Sequence, residues 1–380
     1  MALQIVPVSD ARALDTFIRV PWTVYRDDAH WVPPLLLERK EALSKKNPFF
    51  EHAQWQGFTA LMDGRPVGRI SAQIDSLHQE RYQDATGYFG LFESPDDKQI
   101  ASALFAAAES WLLDRGMRAT VGPLNLGINQ EVGLLVEGFD QPPNIMMGHA
   151  PRYYGPLVEA CGYEKAVDVL AYEIGRKEDR IVEAMEPFVR RLPENLVVRP
   201  LDTSRKAAEL DALRDIFNDA WSGNWGFVPF TENEFRAVGN EMLMLLPRDF
   251  IQIAEIDGEP VAFITLLPNI NEALADLDGR LLPFGWLKLL WRLKVKFPTS
   301  GRVALMGVRK HLQRTRLGPG LAYAVIREVR KAALAHGLTR VEFSWILEQN
   351  KPTRHIIELI GGTINKRYRL YRKNLGATVV

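Results

Sequence analysis

The run Val303–Gly337, VALMGVRKHLQRTRLGPGLAYAVIREVRKAALAHG, carries the reading of this chain. Its first six residues, VALMGV, form an apolar block, the pattern of a buried strand. From Leu321 to His336 apolar residues recur at helical spacing, and Gly337 sits where a helix C-cap favours a left-handed residue. Between them lies Arg309–Gly320, RKHLQRTRLGPG. A strand, a basic glycine-containing loop and a long helix make a place for a pyrophosphate. Glycines let the backbone come close, the amides of the first helical turn point at the anion, and the helix dipole favours negative charge. Arg309, Lys310, Arg314 and Arg316 add charge and bidentate donors. The loop lacks the Gly-Lys-Ser/Thr of a P-loop and has too few glycines for a dinucleotide fingerprint.

Reading outward, Arg340–Ile346 (RVEFSWI) predicts a strand, followed by Asn350, a short helix after Pro352, Gly361-Gly362, and a last strand at Tyr368–Tyr371. Upstream, residues 250–266 (FIQIAEIDGEPVAFITL) predict a hairpin about Asp257-Gly258. The same order occurs once before. Residues 58–74 (FTALMDGRPVGRISAQI) predict a hairpin about Asp63-Gly64, and Ser102–Arg115 predicts a helix stopped by Gly116. A strand at Ala119–Gly122, a short helix before Cys161-Gly162 and a strand at Val169–Ile174 follow. This repeat is too long for a solenoid, so the sequence predicts an α/β fold with α+β layers: two tandem domains, each a mixed central sheet flanked by helices. The predicted division is residues 1–175, a charged linker helix over 176–198, and residues 199–380. In the first half Tyr88–Pro95 (YFGLFESP) runs into its helix with no Gly-x-Gly and no basic cluster, so the anion loop is expected in the second half alone.

A length of 380 residues suits two domains. With 47% hydrophobic and 25% charged residues the composition is globular, which excludes a disordered, collagen-like or rod-forming chain. Lys+Arg and Asp+Glu balance at 47 each, so no nucleic-acid partner is expected. The lone Cys161 excludes an internal disulfide and reads as core filler. The seven His show no metal-ligand spacing, so no metal site is expected; His149 in Met146-Met147-Gly148-His149 is a site residue or a satisfied core histidine. No secretory leader and no apolar run of about 18 residues is seen, so a cytoplasmic location is expected. Leu281–Phe297 (LLPFGWLKLLWRLKVKF) mixes Trp, Phe and Leu with Lys288, Arg292, Lys294 and Lys296. It reads either as a segment lying on the inner face of the membrane or as a packed helix with snorkelling lysines.

The strand, the basic loop ending Leu317-Gly318-Pro319-Gly320, the long helix, Asn350, the short helix and Gly361-Gly362 together resemble the GCN5-related N-acetyltransferase superfamily. The resemblance is close over residues 200–375, and residues 1–175 are similar in fold. It implies a coenzyme A thioester as co-substrate. The loop residues Arg309, Arg314, Thr315, Arg316, Leu317, Gly318, Gly320 and Leu321 would hold its pyrophosphate. Backbone groups of Met306 and Val308 would pair with the pantetheine arm, with Asn350 nearby. Thr315 departs from the family's Gln or Arg, and Ile357 stands where the family often has a tyrosine acid. The segments His30–Pro34 (HWVPP), Asn125–Phe139, Asn218–Phe230 and Arg367–Arg372 resemble a two-domain proteobacterial group of that superfamily that includes the bacterial ceramide synthases, acyl-CoA-dependent enzymes that N-acylate a sphingoid base.

Acyl transfer to an amine needs a base, an oxyanion donor and an acid for the leaving thiolate, but no nucleophilic side chain. The base candidates are Glu348, after the Arg340–Ile346 strand, and Glu131, in the polar cluster Asn129-Gln130-Glu131; Tyr371 is a candidate acid. Glu342 alternates with Val341 and Phe343 and is expected on a sheet surface. The cluster Trp221–Phe227 (WSGNWGF) is expected either to line an apolar acceptor tunnel or to cap the domain interface. The expected function is acyl-CoA-dependent N-acylation, leaning to a long-chain or lipid amine acceptor, with the first half shaping the acceptor side. An acetyl-CoA enzyme acting on a small amine, and a non-catalytic acyl-CoA sensor, remain open beside it.

Overall fold

The computed structural model describes residues 2–175 and 187–376. It divides into two compact units. The first comprises residues 1–169, 274–286 and 366–380; the second comprises 170–273 and 287–365. Most of the expected linker helix, residues 176–186, lies outside the described residues.

The first unit opens with β1 (Leu3–Pro7), β2 (Ala53–Met62), β3 (Arg65–Asp75), β4 (Thr86–Glu93), helix α1 (Lys98–Leu113) and β5 (Ala119–Gly122). Successive pairs β1–β2, β2–β3 and β3–β4 are antiparallel, and β4–β5 is parallel. A parallel pair needs a crossover, and α1 supplies it. Phe105, Leu104 and Leu112 of α1 are buried in the core. After β5 come β6 (Leu124–Asn125), β7 (Glu131–Val132), β8 (Leu134–Glu137) and β9 (Glu164–Gly175). The division between units falls within β9, after Val169.

The second unit repeats this order. It runs β10 (Leu196–Pro200), helix α2 (Lys206–Trp221), β11 (Ile251–Ile256), β12 (Glu259–Pro268), helix α3 (Gly285–Val295, its first two residues in the first unit), β13 (Ser300–Val308), helix α4 (Gly318–Ala335), β14 (Arg340–Leu347) and helix α5 (Lys351–Leu359). Again three antiparallel pairs are followed by a parallel one, β13–β14, bridged by α4. The echo extends to detail. Asp63-Gly64 and Asp257-Gly258 both turn with positive φ at the two residues, the geometry that suits a two-residue hairpin. The register shifts at Ala60/Leu61 in one hairpin and at Ala254/Glu255 in the other, three residues before each turn.

Helices cover both faces of the second sheet. Leu321, Val325, Ile326 and Val329 of α4 pack on one face with Ile264, Leu266 and Phe343. Leu213, Ile216 and Phe217 of α2 pack with Phe230, Ile253 and Phe263 on the other. The chain closes with β15 (Thr363–Asn374), which from Lys366 belongs to the first unit and runs antiparallel to β5 and β8.

Candidate functional site

The parallel pair β13–β14 stays in register only from Ser300↔Arg340 to Val303↔Phe343. A register shift in β12–β13 then leaves Ala304 as an extra residue, bending β13 away. The two strands splay, and a cleft of about 330 Å³ opens between them. Met306, Gly307 and Val308 line one wall and Ser344, Trp345 and Leu347 the other. The carbonyls of Met306 and Val308 face the opening: Trp221 Nε1 donates to Met306 O at 2.9 Å, and Gln313 Nε2 to Val308 O at 2.8 Å. In a strand the N–H and C=O of one residue share a side, so these residues present their amides to the cleft as well.

One end of the cleft is the start of α4, lined by Arg314, Gly318 and Pro319. No side chain caps this helix. Its counterpart α1 is capped by Asp97, whose carboxylate accepts from Gln99 N and Ile100 N at 2.8 and 3.2 Å. One helix start thus carries its own anion; at the other, Leu317 N and Gly318 N donate to Thr315, Pro319 has no N–H, and no side-chain anion is supplied. Gly318 is sterically required: a Cβ there would lie 2.6 Å from Gln313 O and 2.8 Å from Leu312 O.

The corresponding opening in the first unit is filled by its own chain. β4 and β5 pair only over Thr86–Tyr88 and Ala119–Val121. The β6–β7 hairpin occupies the space beyond: a Cβ on Gly90 would sit 1.9 Å from Leu124 O. Gln73 Nε2 donates to Leu124 O and Leu126 O at 2.6 and 3.0 Å, and Leu91 N donates to Asn125 Oδ1 at 2.8 Å.

Among the described residues no group of three or more His, Cys, Asp and Glu is placed to hold a metal ion, and no helix is long and apolar enough to cross a membrane.

Two solved structures share the fold. A tandem GNAT protein from the clavulanic acid biosynthesis pathway matches at a TM-score of 0.59 with 12% identity, over 99% of this chain and 100% of that one. A GCN5-related N-acetyltransferase from Sphaerobacter thermophilus matches at 0.52 with 13% identity, over 98% and 96%. No protein-family model matches the sequence. In sequence the chain is 47% identical over 375 residues to the bacterial ceramide synthase of Caulobacter vibrioides, 98% of each chain. It is 48% identical over 362 residues to Protein YghO of Escherichia coli, 95% of this chain and 93% of that one. The chain belongs to one family with Protein YghO and the bacterial ceramide synthase, and it has the fold of the GCN5-related N-acetyltransferases. It is built as two copies of the fold that the tandem GNAT protein carries.

Of the residues that the family pattern singles out, the cleft brings together Met306, Val308, Arg314, Gly318 and Asn350. Asn350 also caps α5, its side chain accepting from Thr353 N at 3.3 Å. The other loop residues point elsewhere. Arg309 pairs with Asp215 at 2.7 Å. Thr315 closes its own turn, donating to Leu312 O and accepting from Leu317 N, so its hydroxyl serves the loop. Arg316 is exposed, and Leu317 packs partly buried against the core. Leu321 is core, and Gly320 packs against Phe188 O and Leu192. Ile357, at the family's tyrosine position, is fully buried and packs against Gly362.

The candidate carboxylates are dispersed. Glu348 is half-buried, and its carbonyl accepts from Arg354 Nη1 at 2.9 Å. Glu131 belongs to the first unit, where it accepts from Arg39 Nη2 at 2.5 Å and from Asn125 Nδ2 at 2.8 Å. It thereby fixes the asparagine that holds the hairpin in the filled opening. Burial pushes the Glu131 carboxyl up, but the Arg39 charge and the Asn125 hydrogen bond outweigh it and hold it below the usual range. Tyr371, also in the first unit, is buried and donates to Glu159 at 3.3 Å; burial pushes its hydroxyl up to about 12. His149 lies in the first unit with Nε2 2.8 Å from Asp28, and burial lowers its pKa despite that neighbour.

Glu342 departs from its expected surface position. It is buried, accepting from Ser344 Oγ at 2.6 Å and Asn365 Nδ2 at 3.3 Å. Arg302, buried on the neighbouring strand, donates to Ser344 Oγ at 2.8 Å. Of that aromatic cluster Trp221 and Asn224 line the cleft, whereas Trp225 is exposed. Gln313 and Trp345 have no signal of their own in the sequence. They stand out only once the splay is seen.

Proposed function

We propose that this protein transfers an acyl group from a coenzyme A thioester to an amine, by direct attack of the amine on the thioester carbonyl. The observation that carries the reading is the open edge of β13, running from Met306 to the uncapped start of α4. A pantetheine arm is a chain of amides, and Met306 and Val308 offer it main-chain partners. Arg314 and the first turn of α4 suit its diphosphate.

The attacking amine must lose a proton. No carboxylate is among the residues that line the cleft, but Ser344 is, and it is hydrogen-bonded to buried Glu342. In our reading the amine proton passes to Ser344 as the Ser344 proton passes to Glu342. Arg302 holds the hydroxyl in place. Glu348 is the alternative base. Glu131 and Tyr371 stay as acceptor-side candidates, Tyr371 as an acid for the thiolate.

For the acceptor we favour a long-chain amine such as a sphingoid base, with the protein on the inner face of the membrane. Two things support this. The Caulobacter relative carries the name ceramide synthase. On α3 no residue is buried, and Trp286, Leu287, Leu290, Trp291 and Val295 are exposed, with Trp291 at 55%. At 100° per residue these five form one outward arc, with Lys294 inside it and Lys288 at its edge. An exposed apolar arc edged by lysines suits an anionic membrane surface. A sensor without turnover is favoured by the lack of an acid or base among the cleft-lining residues.

The test is thiol release from acetyl-, hexanoyl- and palmitoyl-CoA against spermidine, a peptide lysine and a sphingoid base. Release with the sphingoid base and a longer acyl chain is expected. Release only from acetyl-CoA with spermidine supports the small-amine enzyme. Binding of CoA without release in any pairing supports the sensor, and no CoA binding removes the reading altogether.

A further inference from the structure

Beyond the cleft, the second unit holds an apolar hollow of about 50 Å³. Leu266, Ile326, Val329, Ala333, Leu338 and Ile360 line it, with Arg330 and Arg340 among the remaining wall residues. The two spaces share one residue: Phe343 of β14 is in the wall of both and is itself buried. They also share a roof. Ala322 of α4 faces the cleft, and Ile326, Val329 and Ala333 of the same helix face the hollow. The spacings of four, three and four residues place these side chains in a single row on one helix face. At 1.5 Å rise per residue the row is about 16 Å long.

We infer that the hollow receives the far end of the acyl chain of a coenzyme A thioester, with Phe343 as the gate between thioester and tail. This rests on the acyl-CoA reading of the cleft. The occupant follows from the single buried ring that stands between the two spaces and from the hollow's mostly apolar lining. A chain that passes Phe343 under α4 meets mostly apolar side chains, among them Leu266, Ile326 and Val329, which reward each further carbon it buries. Phe343 and Ala333 then set how long a chain is preferred.

Calorimetric titration of the full-length protein with CoA, acetyl-CoA, hexanoyl-CoA and decanoyl-CoA, each below its micelle concentration, tests this. Wild type should gain about fourfold in affinity per added methylene until the hollow is full. Ala333→Leu fills the hollow from the helix side. It should leave CoA and acetyl-CoA unchanged and weaken decanoyl-CoA by about tenfold. Phe343→Leu widens the passage and should shift the preferred length upward. The inference fails if wild type binds CoA but shows no dependence on chain length. It fails equally if Ala333→Leu weakens all four ligands alike. If wild type does not bind CoA at all, the reading of the cleft fails and takes this with it.

Discussion

The indole Nε1 of Trp221 donates to the main-chain carbonyl of Met306 across 2.9 Å, tying the end of α2 to the unpaired edge of β13. The ring also stacks on Phe217 and meets Trp345 edge-on. Trp221→Phe keeps the packing and removes the donor. It should cost about 1 kcal/mol in urea unfolding. It should also weaken CoA binding several-fold, because the strand edge loses its brace. Unchanged CoA affinity would detach this contact from the site.

Gly318 is the sharper probe of the anion site. Even Ala at this position puts a Cβ against two main-chain carbonyls, which cannot move aside as a side-chain tip can. Gly318→Ala should displace the start of α4 and lower CoA affinity by about tenfold or more. Calorimetry with CoA measures it, and near-ultraviolet dichroism reports whether the rest of the fold is intact.

Ser344 and Glu342 are predicted to move a proton and not to bind CoA. Ser344→Ala and Glu342→Gln should each lower kcat by about 10²–10³ while leaving the affinity for CoA unchanged. Because they act as one unit, the double variant should be little worse than either single one. Full activity in Glu342→Gln would transfer the role to Glu348.

Acid should destabilise the first unit through two carboxylates. Burial raises Glu131, yet Arg39 and Asn125 bring it below its ordinary 4.5. Burial raises Asp168, yet Arg369 and Lys165 bring it below its ordinary 3.8. A carboxyl depressed in the folded state adds stability above its unfolded pKa and loses it as pH falls through the folded value. Urea midpoints should therefore decline below about pH 4, beyond the loss that His149, depressed by burial, begins below its ordinary 6.5. Glu131→Gln leaves Arg39 to pair with the more exposed Glu38 and should lower stability at pH 7 by about 2 kcal/mol, less than breaking a fully buried pair. It should also flatten the decline in acid. An unaltered acid limb would exclude Glu131 as a contributor.

The arc on α3 makes a prediction about membranes. Trp286→Ser with Trp291→Ser should abolish sedimentation with vesicles rich in anionic lipid. The fold should tolerate the change, since both rings are about half exposed. Sedimentation of wild type equally with neutral vesicles, or of the variant as before, would count against the contact.

Local signals make parts of this molecule legible in its sequence. Asp63-Gly64 and Asp257-Gly258 announce hairpins because few residue pairs adopt positive φ twice in succession. The run from Val303 to Gly337 reads as strand, loop and helix because each piece has its own period and its own terminator. What depends on distant neighbours does not read this way. Alternation shows that Glu342 and Phe343 face opposite ways, but the face of Glu342 is dry only because Arg302 and Ser344 meet it there. Gly320 has the look of an anion-loop glycine, yet its space is taken by Phe188 and Leu192. The filled opening of the first unit depends on Gln73 reaching Leu124, 51 positions away.

The placement of β15 bears on how the polypeptide acquires its shape during synthesis. Tyr371 and Arg372 lie opposite Gly122 and Val121, about 250 positions earlier in the chain. A ribosome has therefore translated about 250 further codons before the opening portion receives that neighbour. Until then β5 presents a bare margin, and a stop codon just before Tyr371 would injure the half that was made first.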